Sequence, residues 1–191
     1  REKVFQPLFE SEIIGSGDSF KTRQADKDLT TAIFDNGRWL LTEAGLDLPP
    51  PGVTITSLGK MLTDFPDRIK QHLALFMNPI DHPLVALNTA FSNDGAYIHV
   101  PKGVVLDRPL ELLFRSSETA NPHLSVPRNL IILEEGAQAV ILESHTGNGL
   151  LGQYWNNVHT EIMLGEGSRL EHIQLQDEGR SAYHTSFTNV R

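Results

Sequence analysis

Cysteine is absent from the 191 residues of this chain. Without a thiol, these residues cannot form a disulfide, supply a thiolate nucleophile, carry a persulfide or bind a metal cluster through sulfur. Several classes of enzyme and electron-transfer protein are therefore excluded for the chain alone. The lack of disulfides is also usual for cytosolic proteins.

Positive charge and long apolar runs are also scarce. Lys and Arg total 16 against 24 Asp and Glu, which gives a formal net charge of -8. Phosphate binding needs a basic stripe, so we expect no nucleic acid partner, and anionic membrane surfaces are disfavoured for the same reason. The best apolar runs, Leu73 to Met77 and Leu130 to Leu133, are far shorter than the roughly 18 residues that cross a bilayer. No membrane span is predicted.

Both ends of the sequence lack the signals of a natural terminus. The first residue is Arg1 rather than Met, no signal-peptide core follows it, and Arg191 closes a strand-like run without a turn or helix. We therefore expect a fragment of a longer protein. A strand cut at this point leaves an unpaired edge near 183–191, which favours self-association.

A hairpin is the first clear element. Asp35-Asn36-Gly37 lies between two β-prone runs, 29–34 and 38–41. Asn-Gly between such runs is the strongest short signal for a hairpin, because both turn positions favour positive φ. Trp39 is predicted on the buried face of this hairpin.

Helices are predicted after the proline-rich connector that ends at Gly52. Ser57 can cap a short helix over 58–62, while Pro66 and Pro83 each stand where a proline starts a helix. Residues 1–94 are therefore predicted to form a small α+β segment. The predicted buried stripes of the second and third helices are Ile69, Leu73 and Phe76, and Leu84, Leu87 and Phe91, respectively.

From residue 95 onward the apolar period becomes strand-like and one unit repeats. Gly103, Gly136 and Gly167 each follow one strand-like run and precede another, 33 and 31 residues apart. This spacing is typical of solenoids, and the glycine allows the positive φ of a tight corner. We predict a mainly β protein in which residues 95–191 begin a parallel β-helix. An antiparallel sandwich with long hairpins is the alternative.

Three histidines invite a metal hypothesis. His159, His172 and His184 lie on successive strand-like runs, where stacked coils could bring them together. None of them has an H-x-H or H-E-x-x-H spacing, and zinc or iron needs three or four converging ligands. We interpret them as surface or corner histidines, with Glu171-His172 as the first pair to test for a metal role.

Short matches to catalytic motifs lack their companions, so no catalytic residue is predicted. Ser57 to Lys60 fits S-x-x-K, but the partner motifs of acylating serine enzymes are absent. A helix cap followed by an exposed lysine is the better interpretation. Gly15 to Gly17 lacks the strand and helix of a dinucleotide loop, and no P-loop is present, so any nucleotide belongs to a partner.

Several segments stand in a characteristic order and spacing, namely Leu87–Phe91 with Asp94-Gly95, Ile98–Val105, Arg108–Leu113, Leu130–Ala137, and His159–Glu161 through Glu171–Gln176. Together they resemble the SufB/SufD family of iron–sulfur cluster assembly proteins. The likeness is good over 83–191 and looser over the hairpin and helices before it. Within the family the chain is more similar to the SufD type, because it has the N-terminal hairpin and helices and no cysteine that could receive persulfide sulfur.

This resemblance implies a right-handed parallel β-helix core and a non-catalytic scaffold subunit that pairs with a SufB-like subunit and a SufC-like ATPase. In the family, those contacts are made mainly by later coils and a C-terminal helical region, beyond Arg191. No cofactor is expected on this segment, and an iron–sulfur cluster or flavin would belong to the whole complex. The implied location is cytoplasmic, or plastid in a plant or alga.

Two alternatives remain open. A polysaccharide-active β-helix enzyme would need clustered or paired carboxylates on one exterior face, and Glu134-Glu135 is the only tight acidic pair in the repeats. A protein-binding β-solenoid from an unrelated pathway explains the same repeated runs.

Overall fold

The computed structural model describes residues 29–40, 49–73, 82–117, 122–147 and 153–191. These residues are mainly β, as the sequence predicts. In chain order the strands and helices are β1 (Thr30–Asp35), β2 (Arg38–Trp39), β3 (Thr54–Ser57), α1 (Leu58–Asp64), α2 (Pro66–Lys70), α3 (Pro83–Phe91), β4 (Ala96–Val100), β5 (Leu110–Ser116), β6 (His123–Ser125), β7 (Arg128–Leu133), β8 (Gln138–Gly147), β9 (Tyr154–Leu164), β10 (Arg169–Asp177) and β11 (Ala182–Val190).

The predicted hairpin is confirmed. β1 and β2 pair antiparallel, with Phe34 opposite Trp39. The turn between them has φ of 47° at Asn36 and 79° at Gly37, as expected for the primed turns that match the twist of a hairpin. The rings of Phe34 and Trp39 meet edge to face with their centroids 5.2 Å apart, so Trp39 packs against the core.

Successive strands of the repeats alternate between two sheets. Sheet A has the order β10-β8-β5-β1-β2, and sheet B has the order β11-β9-β7-β4-β3, with β6 attached to β9. Pairing is antiparallel for β1 with β2 and for β3 with β4, and parallel for the strands that successive repeats contribute. The antiparallel pairing of a sandwich with long hairpins does not join these strands. β1 and β3, which precede residue 95, extend the same two sheets as the repeat strands. The predicted domain boundary between residues 94 and 95 therefore stays a prediction.

The repeat glycines lie at corners where the chain passes from sheet B to sheet A. Their φ angles are 71° at Gly103 and 68° at both Gly136 and Gly167. Gly103 N donates to Glu135 O and Gly136 N donates to Glu166 O, both at 2.9 Å, so the corners stack on one another. A Cβ at Gly103 or Gly167 would meet nothing within 4 Å. The corners therefore need glycine for its φ and not for lack of space.

The core lies between the two sheets and is apolar in the first repeats. Buried aliphatic and aromatic side chains from both sheets fill it, with Ile98 and Ile131 from sheet B facing Leu112 and Phe114 from sheet A. Phe34 stacks on Phe114 with ring centroids 4.4 Å apart. Phe114 in turn stacks on His145 of β8 with ring centroids 5.0 Å apart.

Helices α1 and α2 cover the outer face of sheet B through apolar contacts. Leu58, Met61 and Ile69 form a buried cluster with Tyr97 and Leu130 of the sheet. Apolar burial of this kind contributes roughly 1.5–3 kcal/mol per large side chain. None of the helices in the described ranges is long and apolar enough to cross a membrane.

The start of each helix agrees with the sequence. Ser57 caps α1, and its Oγ accepts a hydrogen bond from Lys60 N at 2.9 Å, which confirms the helix-cap interpretation of that motif. Pro66 and Pro83 occupy the first turns of α2 and α3. The stripe predicted for α2 runs on to Phe76, which lies outside the described residues.

The stripe predicted for α3 is wrong. The buried residues of this helix are Val85 and Asn88, whereas Phe91 is 44% exposed. Leu84 and Leu87 are only partly buried. The helix is rotated because Asn88 turns inward to hydrogen-bond backbone carbonyls of the sheet, and polar pairing of this kind leaves no trace in the apolar period.

Candidate functional site: an interior histidine and carboxylate cluster

The interior becomes polar across sheet A, from β5 to β10. The first three inward residues of β5 are apolar, those of β8 are mixed and those of β10 are polar after its first position. In register, the three inward rows are Leu110, Ile141 and His172, then Leu112, Glu143 and Gln174, then Phe114, His145 and Gln176. The change occurs within two strand spacings, or about 10 Å.

Glu143 is the centre of this polar region and is fully buried. Its Oε1 accepts from His145 Nε2 at 2.8 Å and from Gln174 Nε2 at 3.1 Å. Its Oε2 accepts from His172 Nε2 at 3.0 Å and from Thr160 Oγ1 of sheet B at 3.2 Å. These five residues are called the interior cluster below. It joins β8, β9 and β10 through one carboxylate.

The interior cluster holds Glu143 in its ionised form. Burial alone would raise the pKa of Glu143, but the hydrogen bonds and positive charge of His145 and His172 outweigh burial and hold the pKa well below its ordinary value. Each carboxylate oxygen already accepts two hydrogen bonds. Such a group is a poor general base, since a base needs a pKa near the working pH and a free lone pair. The geometry therefore suits a structural role.

A second interior carboxylate lies beside the cluster. Glu178 accepts from Asn156 Nδ2 at 2.6 Å and from Gln176 Nε2 at 3.0 Å, and His184 Nδ1 lies 2.8 Å from its Oε2. Burial raises the pKa of Glu178, while His184 and Asn156 hold it below the ordinary value. The rings of His145 and His184 meet edge to face at 4.7 Å, so the two carboxylates belong to one polar layer.

The interpretation of the three predicted histidines as surface or corner residues is wrong. His172 and His184 point inward from the middle of strands and pair with Glu143 and Glu178, and His159 is 1% exposed. Glu171 is exposed on the opposite side of β10, because adjacent strand residues face opposite ways. In the described part of the chain, no group of three or more His, Cys, Asp or Glu side chains has the geometry of a metal site.

Sequence reasoning missed Glu143 and His145, although a signal was present. Ala139 and Ile141 are inward on β8, and the alternation of a strand continues to positions 143 and 145. Their polarity hides this continuation, because polar residues in a strand usually mark the solvent side. A polar pair that continues an inward row is therefore the pattern to look for.

A buried ion pair lies on the outer face of sheet B. Arg128 Nε donates to Glu161 Oε1 at 2.9 Å, and its Nη1 donates to Thr89 Oγ1 of α3 at 2.8 Å. Glu161 is fully buried and Arg128 is 3% exposed. Breaking a buried pair by removing one partner typically costs about 3–5 kcal/mol, so this pair is a structural element beneath α3.

Glu134 and Glu135, the acidic pair at the Gly136 corner, each contact a basic side chain of the preceding repeat. Glu134 Oε1 lies 2.9 Å from His99 Nε2, and Glu135 Oε2 lies 2.7 Å from Lys102 Nζ. Hydrogen bonds from His99 and from the Lys102 backbone lower the pKa of Glu134. The lowered pKa of Glu134 is the opposite of the raised pKa that a glycosidase general acid needs.

These features define a mainly β repeat protein with a hydrogen-bonded polar layer in its interior. The sequence matches the family described as "SufBD protein N-terminal region" over residues 17–112 and "SUF system FeS cluster assembly, SufBD core domain" over residues 114–191. The chain belongs to the SufB/SufD family of iron–sulfur cluster assembly proteins.

Individual relatives agree with this assignment. An iron–sulfur cluster assembly SufBD family protein of Synechocystis sp. is 32% identical over 111 residues, which are 54% of this chain and 24% of that protein. Iron–sulfur cluster assembly protein SufB of Bacillus subtilis is 28% identical over 139 residues, 72% of this chain and 29% of that protein. Protein ABCI7, chloroplastic, of Arabidopsis thaliana is 29% identical over 133 residues, which are 66% of this chain and 28% of that protein. The chain spans about a quarter of the length of these relatives.

Proposed function

We propose that the chain is part of a non-catalytic SufD-type scaffold subunit, which pairs with a SufB-like subunit and a SufC-like ATPase. Family membership supports the role in iron–sulfur cluster assembly over the polysaccharide and unrelated-solenoid alternatives. The observation that carries the non-catalytic part is the state of Glu143. It is buried, ionised and hydrogen-bonded at both oxygens, in a chain that has no thiol.

The proposal of a SufD-type rather than a SufB-type subunit rests on the residues of this chain. Similarity alone does not separate them, because one relative carries the name SufB. A subunit that receives persulfide sulfur needs a thiolate, and this chain has no cysteine. The hairpin β1–β2 and helices α1 to α3 fit the SufD-type pattern as well.

We also propose that the repeats form the first coils of a right-handed parallel β-helix. Three observations support it: strands alternate between two sheets, repeat strands pair in parallel, and glycine corners stack directly. A right-handed crossover is the rule for parallel strands joined within a sheet. An experimental electron-density map that shows left-handed coils would refute this architecture.

The remaining parts of the proposal concern ligands and location. We expect no cofactor on this segment, with any iron–sulfur cluster or flavin held by the whole complex, and a cytoplasmic location, or a plastid one in a plant or alga. Metal analysis of the purified chain after incubation with Fe²⁺ tests the first point. Stoichiometric iron that survives desalting would contradict it. Fluorescence imaging of a tagged full-length protein in its own cell tests the second.

Self-association through the strand edges is a further part of the proposal. Among the described strands, β10 and β11 lie at the ends of the two sheets, and Ile173, Leu175, Tyr183 and Val190 are 39% to 66% exposed there. Unpaired edges with apolar side chains favour association. Sedimentation of the 191-residue chain should show dimers or larger species, and a Leu175→Lys variant should shift it toward monomer. A monomer at all concentrations contradicts this expectation.

Co-purification tests the scaffold role. The full-length protein is co-expressed with a tagged SufB-like subunit and the SufC-like ATPase from the same organism. We expect all three to elute together from a size-exclusion column, and a parallel expression without the SufB-like subunit serves as the control. Failure to recover any complex with either partner would refute the scaffold proposal.

A further inference from the structure

Helix α3 is attached to sheet B mainly by polar contacts. Asn88 Nδ2 donates to Pro127 O at 3.0 Å and to Asn157 O at 2.7 Å. In return, Asn157 Nδ2 donates to Leu84 O at 2.8 Å. Thr89 accepts from Arg128. Water can replace hydrogen bonds of this kind, so their net contribution is small compared with their number.

The attachment of α3 differs from that of its neighbours. α1 contributes two buried apolar side chains, Leu58 and Met61, and α2 contributes one, Ile69, and all three join one apolar cluster with Tyr97 and Leu130 of the sheet. α3 contributes only Val85, which lies outside that cluster. Helices of nine residues are marginal on their own. Local opening is easiest where few apolar contacts are lost. α3 is therefore held to the sheet with little apolar burial, and it can separate from the sheet locally without exposing a large apolar surface.

A buried histidine lies on the sheet face that α3 covers. His159 of β9 is 1% exposed and lies opposite Arg128 of β7 in the parallel register. Its Nε2 accepts from Asn189 Nδ2 at 2.7 Å. Its Nδ1 has no partner among the described residues. An imidazole that accepts at Nε2 is in its neutral form, with the proton on the buried Nδ1.

We propose that α3 is an acid-sensitive cover, which leaves sheet B when His159 takes up a proton. A protonated His159 can no longer accept from Asn189, and its positive charge lies beside Arg128. On β9 itself, the charged residue on the same face as His159 is Glu161, which already accepts a hydrogen bond from Arg128. The β11 partner in register is the uncharged Phe187, and α3 supplies the uncharged Asn88 and Thr89. A buried charge with these neighbours is costly until water reaches it.

Linkage gives the direction and the size of the effect. Burial and the charge of Arg128 lower the pKa of His159 from 6.5 to about 4. The open form, with a solvated imidazole, therefore binds a proton that the closed form rejects, and the closed form weakens as pH falls from 6.5 toward 4. With these two pKa values, the opening equilibrium rises about 20-fold between pH 7 and pH 5.

Hydrogen exchange at the amides of α3 tests this proposal. After correction for intrinsic exchange rates, the protection of amides 87–91 should fall about 20-fold between pH 7 and pH 5. The amides of α1 should change far less, which provides an internal control in the same molecule. The His159→Gln variant stays neutral and should lose the pH response of α3.

Three outcomes would overturn the proposal. One is unchanged protection of α3 at pH 5. Another is an equal loss in α1 and α3, which indicates general acid destabilisation. The last is a pH response that persists in His159→Gln. If that variant does not fold, the comparison of α3 with α1 in the unmodified protein still decides between local and global opening.

Discussion

Replacing Glu143 with Gln removes the charge of the interior cluster while keeping its shape. One amide oxygen can still accept two of the four hydrogen bonds that Glu143 accepts. The amide nitrogen then faces the other two donors, one of which is an imidazole of His145 or His172. Each buried donor left without an acceptor costs about 1–3 kcal/mol. We expect the free energy of unfolding to fall by about 3 kcal/mol in total.

Equilibrium urea denaturation, followed by circular dichroism, measures this loss. Glu171→Gln is the matched control, because Glu171 is a neighbouring carboxylate on the exposed side of β10, and it should change stability by less than about 0.5 kcal/mol. The lowered pKa of Glu143 adds a pH signature. Its stabilising effect is present above about pH 4.5 and is lost as pH falls below that value, so the deficit of Glu143→Gln should shrink there. Equal effects of the two variants at pH 7 would refute the assigned role of Glu143.

Three further predictions are measured by the same denaturation assay. Asp94→Ala should cost about 3 kcal/mol, because Asp94 accepts from the backbone of Trp39 at 2.8 Å and from three other donors; a loss below about 1 kcal/mol would contradict this. Gly136→Ala should lower the free energy of unfolding by about 1–2 kcal/mol, because alanine disfavours the positive φ of this corner. Gly136→Asn should lower it less, because asparagine tolerates positive φ better; equal losses would point to crowding. Arg128→Met should cost about 3–5 kcal/mol by removing the guanidinium that pairs with the buried carboxylate of Glu161, and the double variant with Glu161→Met should recover much of it; no recovery would show that the ion pair is not the cause.

Local signals explain which parts of the fold could be predicted. The hairpin follows from Asn36-Gly37, whose residues supply the positive φ that the turn requires. The start of α1 follows from Ser57, and the corners follow from the spacing of the glycines. Each of these depends on neighbouring residues and not on partners far along the chain. Patterns within one short window therefore sufficed for them.

The polar contacts could not be predicted, because they depend on register between distant strands. Glu143 contacts His172 because of the register between β8 and β10. This register places Gln174 directly opposite Glu143 and His172 one inward position away. Asn88 is buried only because it reaches carbonyls at Pro127 and Asn157, so the apolar stripe of α3 gave a wrong orientation. The three histidines were placed at the surface for the same reason. A sequence shows residue types, whereas partners come from the three-dimensional register.

Reconstitution of cluster assembly tests the scaffold role most directly. The assay measures iron, sulfide and visible absorbance in the complex of the full-length protein with its SufB-like and SufC-like partners. We predict that omitting the subunit strongly reduces cluster yield. Variants such as His172→Gln, which keep a hydrogen-bond donor for Glu143, should retain most of the yield once folding is verified. Loss of cluster formation in a folded His172→Gln complex would contradict a non-catalytic scaffold, and undiminished yield without the subunit would contradict any role in the complex.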